Sequence, residues 1–145
     1  MSDFKWNFLT KIFVIMVNLD WYHSLNLPAG TPPDWIFAPV WIILYLMIFA
    51  SFLVFISTKS LSKKFVALSF FVMQLLLNFF WSSIFFGLKD ILNALWVILL
   101  MWIFLAITLY EFYKISKPAF YLLIPYFLWV TYALYLNSSI YLINP

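Results

Sequence analysis

Four stretches of the chain, 36–57, 65–86, 92–113 and 119–142, run apolar from end to end, with Glu111 near the end of the third as their single charge. Each is about 22 residues, or about 33 Å of α-helix, which matches the hydrocarbon thickness of a bilayer. A shorter apolar run at 4–20 carries Lys11, whose long side chain can reach an interface, and counts as a first span. The pattern predicts an all-α membrane protein, a five-transmembrane-helix bundle forming a single domain over 1–145. Short connections between spans make sequence neighbours antiparallel neighbours in space. The N-terminal run has the Lys-then-apolar look of a signal peptide but no small-x-small cleavage site, so it reads as a retained helix.

Composition agrees with the pattern. Of 145 residues, 67% are hydrophobic, 24% aromatic and 9% charged, more apolar surface than a soluble domain of this size can hide. Eight Lys, no Arg and five acidic residues make too thin and scattered a basic balance for a nucleic-acid footprint. The absence of Cys removes disulfides, thiolate metal sites and cysteine nucleophiles, and lone His23 cannot build a multidentate metal site. Spans two to five hold no internal ionisable residue, which disfavours ion-coupled transport. There is no Ser/His/Asp set, paired carboxylate or phosphate loop, so conventional acid–base catalysis is not expected.

Charge placement orients the bundle. With five spans, Lys5, Lys59, Lys63, Lys64, Lys114 and Lys117 fall on one side, with Lys11 nearest it, against Lys89 on the other. This positive-inside asymmetry places the N-terminus in the cytoplasm and the loop 21–35 and the C-terminus outside. That loop is the longest connection. Pro28, Pro32 and Pro33 fix three φ angles in it, giving either a stiff lid over a cavity or a proline-rich turn.

Candidate site residues follow from helical spacing. Trp35, Pro39, Trp41 and Tyr45 are placed on one side of the second span, directly below the loop. Gln74, Asn78 and Trp81 recur at i, i+4 and i+7 in the third. Amides in hydrocarbon must be paired, so this stripe faces protein or a cavity, as helix–helix glue, ligand contact or both. Tyr126, Trp129, Ala133 and Asn137 share a face of the fifth span, beside Pro125, which removes one backbone bond and invites a kink. Trp129 lies too deep for an interfacial belt. Trp96, Trp102 and most Phe residues read as lipid-facing or packing groups.

These residues resemble the tryptophan-rich sensory protein/translocator protein (TspO/MBR) family. The ordered matches are Trp21-Tyr22, Pro28, TPPxW at 31–35, PVWxxLY at 39–45, QxxxN at 74–78, WxxxFFG at 81–87, LLIPYFLW at 122–129 and AxxLNxxIxxIN at 133–144. Each is weak alone; together, in register from residue 21 to residue 144, they are specific. The resemblance implies five membrane helices, a homodimer, and a pocket beneath the first long loop that binds porphyrins such as protoporphyrin IX, or sterol-like and drug-like amphiphiles. It assigns the pocket to Trp41, Asn78, Tyr126 and Trp129, with Trp21, Tyr22, Pro32, Pro33 and Trp35 in the lid and upper wall. Tyr45, Gln74, Trp81 and Ala133 complete the candidate ligand set.

The resemblance leaves three functions open: a porphyrin receptor or sensor, a light- and oxygen-dependent porphyrin-degrading enzyme using Trp41 and Trp129, and a transporter of tetrapyrroles or sterols. No cofactor or metal is required, porphyrin being ligand or substrate. A bacterial plasma membrane is the expected location. Two departures stand out. Gly30 occupies a position where the family often has Trp, and no basic residue follows Lys117, so sterol recognition through a basic C-terminal segment is not expected.

Overall fold

The structure, a computed structural model, describes residues 19–59 and 64–144. Apart from its last two positions, the expected first span 4–20 lies outside the described residues, as do Lys5, Lys11 and Lys63. Among the described residues every regular element is helical: α1 (Leu19–His23), α2 (Asp34–Ile56), α3 (Lys64–Ser82) continued by a π-helical turn (Ser83–Gly87), α4 (Ile91–Ile115) and α5 (Lys117–Ile143). α1 makes the start of the expected lid loop a short helix, so Trp21 and Tyr22 sit on a helical turn. Among the described residues four helices, the π turn included with α3, are long and apolar enough to cross a membrane.

The helix ends follow local chemistry. Pro33 is the N-cap of α2 with an extended backbone (φ −64°, ψ 150°), and its missing N–H costs nothing at that position. At the far end of α2, Lys64 reaches back and donates its ammonium to the carbonyls of Ile56 and Thr58, supplying donors to a helix C-terminus. Lys89 takes a left-handed φ of 56°. Asp90 then caps α4, its carboxylate accepting from Asn93 N at 3.0 Å. Ser116 ends α4 and begins α5, where Pro118 stands in the first turn.

α3 packs on α4, α4 on α5, and α5 on α2. Their outward faces carry exposed Ile42, Leu46, Phe49, Leu53, Leu76 and Phe80, an apolar surface suited to lipid. Alternation of the helices gathers Lys59, Lys64, Lys114 and Lys117 at one end and Lys89 at the other. At the lysine-rich end the core is closed by flat-stacked rings. Phe55 lies on Phe112 at 4.0 Å, Phe112 on Phe71 at 5.7 Å and Phe71 on Phe52 at 5.7 Å. Ser51 ties α2 to α5 there by donating to Ala119 O at 2.7 Å.

Candidate ligand site

At the opposite end the helices splay around a cavity of about 330 Å³. α2 lines it with Phe37, Ala38, Trp41 and Tyr45, and α3 with Asn78, Phe79, Trp81 and Ser82. The π turn adds Ser83, Phe85 and Phe86, α5 adds Trp129, Tyr132, Ala133, Leu136, Asn137 and Ile140, and α1 adds Tyr22. None of these side chains carries a charge.

Tyr45 stacks on Phe79 at 9° and Trp81 on Phe85 at 27°, while other rings stand edge to face. Trp41 meets Trp129 at 6.3 Å and 89°, Phe37 meets Trp129 at 6.0 Å and 72°, and Tyr22 meets Phe37 at 6.4 Å and 90°. Such T-shaped contacts put ring edges against ring faces. Polar atoms anchor several rings. Trp81 Nε1 donates to Asn137 Oδ1 at 2.9 Å, and Asn137 Nδ2 donates to Ile91 O at 3.2 Å. Tyr45 Oη donates to Asn78 Oδ1 at 2.7 Å, and Asn78 Nδ2 donates to Tyr126 Oη at 2.9 Å. Tyr126 in turn donates to Gln74 Oε1 at 2.8 Å.

The residues between α1 and α2 (24–33) form a strap along the upper end of α5. Asn26 and Asn144 exchange two hydrogen bonds of 2.9 Å, Tyr135 Oη donates to Ala29 O at 3.3 Å, and Tyr132 donates to Gly30 O. The strap is thus tied to the last turns of α5. Gly30 has φ +84°, a left-handed conformation that a larger side chain resists, although a Cβ would come no closer than 3.8 Å to Tyr132. At Gly30 the backbone conformation, not the room for a Cβ, disfavours a side chain.

The structure brings Tyr22, Trp41, Tyr45, Asn78, Trp81, Trp129 and Ala133 onto one cavity wall. Gln74 and Tyr126 are fully buried behind that wall. Trp21 packs its ring on Phe85 at 5.4 Å, outside the lining, and Pro32 and Pro33 form the entry to α2. Trp35 departs furthest from expectation: it is 73% exposed and off the wall. At about 100° per residue, a separation of six turns Trp35 about 120° away from Trp41. The true α2 stripe is Phe37, Trp41 and Tyr45, at i, i+4 and i+8. Phe37, four residues before Trp41, and Phe85, four after Trp81, carried the same spacing signal. So did Tyr132, three after Trp129.

The profile of the TspO/MBR family matches residues 6–142. The chain is 42% identical over 127 residues to a tryptophan-rich protein TspO of Chlorobaculum tepidum, covering 86% of this chain and 80% of that one. It is 36% identical over 125 residues to a tryptophan-rich sensory protein of Cereibacter sphaeroides, covering 86% and 77%. It is 35% identical over 136 residues to the translocator protein of Homo sapiens, covering 92% and 80%. With membrane-length helices, an aromatic cavity under a strap and matches of this extent, the chain belongs to the TspO/MBR family of multi-pass integral membrane proteins.

Proposed function

We propose that this chain is a membrane receptor or sensor for porphyrins, protoporphyrin IX and haem-type tetrapyrroles, held between the rings of α2, α3 and α5. The observation that carries the reading is the Trp41–Trp129 edge-to-face pair, 6.3 Å between centroids, inside an uncharged cavity. A flat macrocycle presents two π-faces, and indoles set at right angles give it one face to stack on and one edge to meet. Its carboxylates cannot be neutralised among uncharged groups, so they stay at the watery mouth beneath the strap. Trp21, Pro32 and Pro33 then serve by stiffening that mouth. The lysine-rich end faces the cytoplasm and the mouth faces outward.

The test is a titration of protoporphyrin IX in the dark into protein in nanodiscs, read by tryptophan quenching. Wild type should quench saturably, and a Trp41→Phe/Trp129→Phe double variant should bind about tenfold more weakly. Quenching equal to that of empty nanodiscs would overturn the reading.

The same pair favours a second activity, breakdown of the bound porphyrin under light. An indole against a photoexcited macrocycle can give it an electron, which passes on to dioxygen. The superoxide so formed attacks the macrocycle, and the indole radical cation recovers its electron from it. In net terms one dioxygen opens one ring C=C bond into two C=O groups. Trp41 and Trp129 are the candidate donors. Illuminating the titrated samples decides it: loss of the porphyrin bands in wild type but not in Trp129→Phe, at equal occupancy, supports the activity. Equal rates remove it.

A further inference from the structure

The polar wall of the cavity is the outer end of a hydrogen-bond chain that runs into the core. Tyr45 donates to Asn78 at 2.7 Å, Asn78 to Tyr126 at 2.9 Å, and Tyr126 to Gln74 at 2.8 Å. There the chain stops, because Gln74 is fully buried and its Nε2 has no hydrogen-bond partner. Every link is a hydroxyl or a carboxamide, groups that can exchange donor for acceptor without changing shape. Half a turn of both carboxamides reverses all three bonds. Gln74 Nε2 then donates to Tyr126, Tyr126 to Asn78 Oδ1, and Asn78 Nδ2 to Tyr45. The number of bonds is unchanged. The unmatched buried group becomes a carbonyl oxygen in place of an N–H, and an under-used carbonyl is the more readily tolerated of the two.

The two orders present different chemistry to a ligand. In the first, the Tyr45 proton is committed inward and its oxygen offers lone pairs. In the second, the Tyr45 O–H is free to donate. Asn78 keeps a spare N–H and a spare lone pair either way, so Tyr45 is the group whose character changes. The Met101 sulfur, 4.0 Å from Tyr126 Oη, is too weak an acceptor to hold that proton against a carbonyl oxygen.

We propose that Tyr45, Asn78, Tyr126 and Gln74 form a reversible relay through which the cavity accepts flat neutral ligands bearing either a hydrogen-bond acceptor or a donor. Gln74, behind the cavity wall, is the positioning residue that makes both orders available. The inference rests on reading this cavity as a ligand pocket, though not on porphyrin as its occupant.

The experiment uses the full chain in nanodiscs and two planar tricyclic probes, fluorenone, which only accepts, and carbazole, which only donates. Wild type should bind both within about threefold, one hydrogen bond being available to each. Gln74→Met keeps the shape but leaves Tyr126 to donate to Asn78, fixing Tyr45 as a donor. Carbazole should then weaken about fivefold relative to fluorenone. Gln74→Glu, whose buried neutral carboxyl can donate or accept, should restore the wild-type ratio. Tyr45→Phe, at the cavity wall, should weaken both probes by the same factor. A tenfold preference of wild type for either probe, a Gln74→Met ratio equal to wild type, or loss of only one probe in Tyr45→Phe overturns the relay. Failure of both probes to bind wild type removes the pocket reading and the relay with it. Binding of both probes without protoporphyrin IX removes the porphyrin reading alone.

Discussion

Both ends of this bundle are built from aromatic rings, yet they pack differently. At the lysine-rich end Phe52, Phe55, Phe71 and Phe112 stack nearly parallel, and the core is closed. At the other end Trp41, Trp129, Phe37 and Tyr22 meet at steep angles around an open cavity, beside the stacked pairs Tyr45–Phe79 and Trp81–Phe85. Phe has no polar atom, so its ring orientation answers only to dispersion and shape. Trp and Tyr must also satisfy an N–H or O–H in hydrocarbon, and those partners dictate where the ring points. Trp81 is fixed by Asn137, Tyr45 by Asn78 and Tyr132 by Gly30. Polar partners thus fix Trp81, Tyr45 and Tyr132 in or beside the cavity lining, whereas the Phe column at the opposite end is held by ring contacts alone.

The comparison can be broken from either side. The largest effect on stability belongs to the closed end. Phe112→Ala should cost about 3 kcal/mol, because the column loses one of its two inner rings and leaves a hole. Thermal unfolding in detergent measures it, and porphyrin affinity of the folded fraction should not change. A Phe112→Ala protein as stable as wild type would mean that the stack closes nothing. Next comes Asn78→Leu, which strips Tyr45 of its acceptor and Tyr126 of a donor. A loss of about 2 kcal/mol is expected, together with weaker porphyrin binding. Unchanged affinity would place Asn78 in the framework alone.

Smaller effects lie in the strap. Gly30→Ala forces a side chain into a left-handed backbone and should cost about 1 kcal/mol. If Gly30→Ala matches wild type in melting, the strap is not held in that conformation. Asn144→Ala removes both bonds to Asn26 and should change stability by less than about 1 kcal/mol, since the pair is solvent-exposed. Its signature is kinetic: protoporphyrin IX should leave about threefold faster in stopped-flow dilution, because a loosened strap opens more often. An unchanged release rate would show that the ligand does not leave past the strap.

Much of this was legible in the sequence, and the rest was hidden for physical reasons. Charge-free runs mark lipid-facing helices plainly, but hydropathy cannot see caps. α2 therefore begins at Asp34, after Pro33, and Lys64, Lys114 and Lys117 are drawn into helical turns that the apolar runs exclude. The π turn at Ser83–Gly87 left no signature, since it swaps one backbone register for another without a Pro or a charge. It nonetheless places Phe85 and Phe86 in the cavity lining. On α5 the spacing of Trp129 and Ala133 pointed correctly to one face. On α2 the six residues from Trp35 to Trp41 turn the helix away, and Phe37 holds the cavity position instead. Gln74 and Tyr126 share stripes with cavity residues, and spacing alone could not tell a wall from the layer behind it. Depth is set by how far the neighbouring helices splay, which is a tertiary property.

The central claim is that porphyrin occupies the cavity lined by Trp41 and Trp129, and filling that cavity tests it most directly. Ala133 lines the cavity and is half-buried, so Ala133→Phe adds a ring to it while removing no polar contact. In a dark nanodisc titration of protoporphyrin IX, saturable quenching should disappear in Ala133→Phe while the melting temperature stays near that of wild type. Undiminished affinity in a folded Ala133→Phe protein would contradict the account and move the porphyrin to another surface of the bundle.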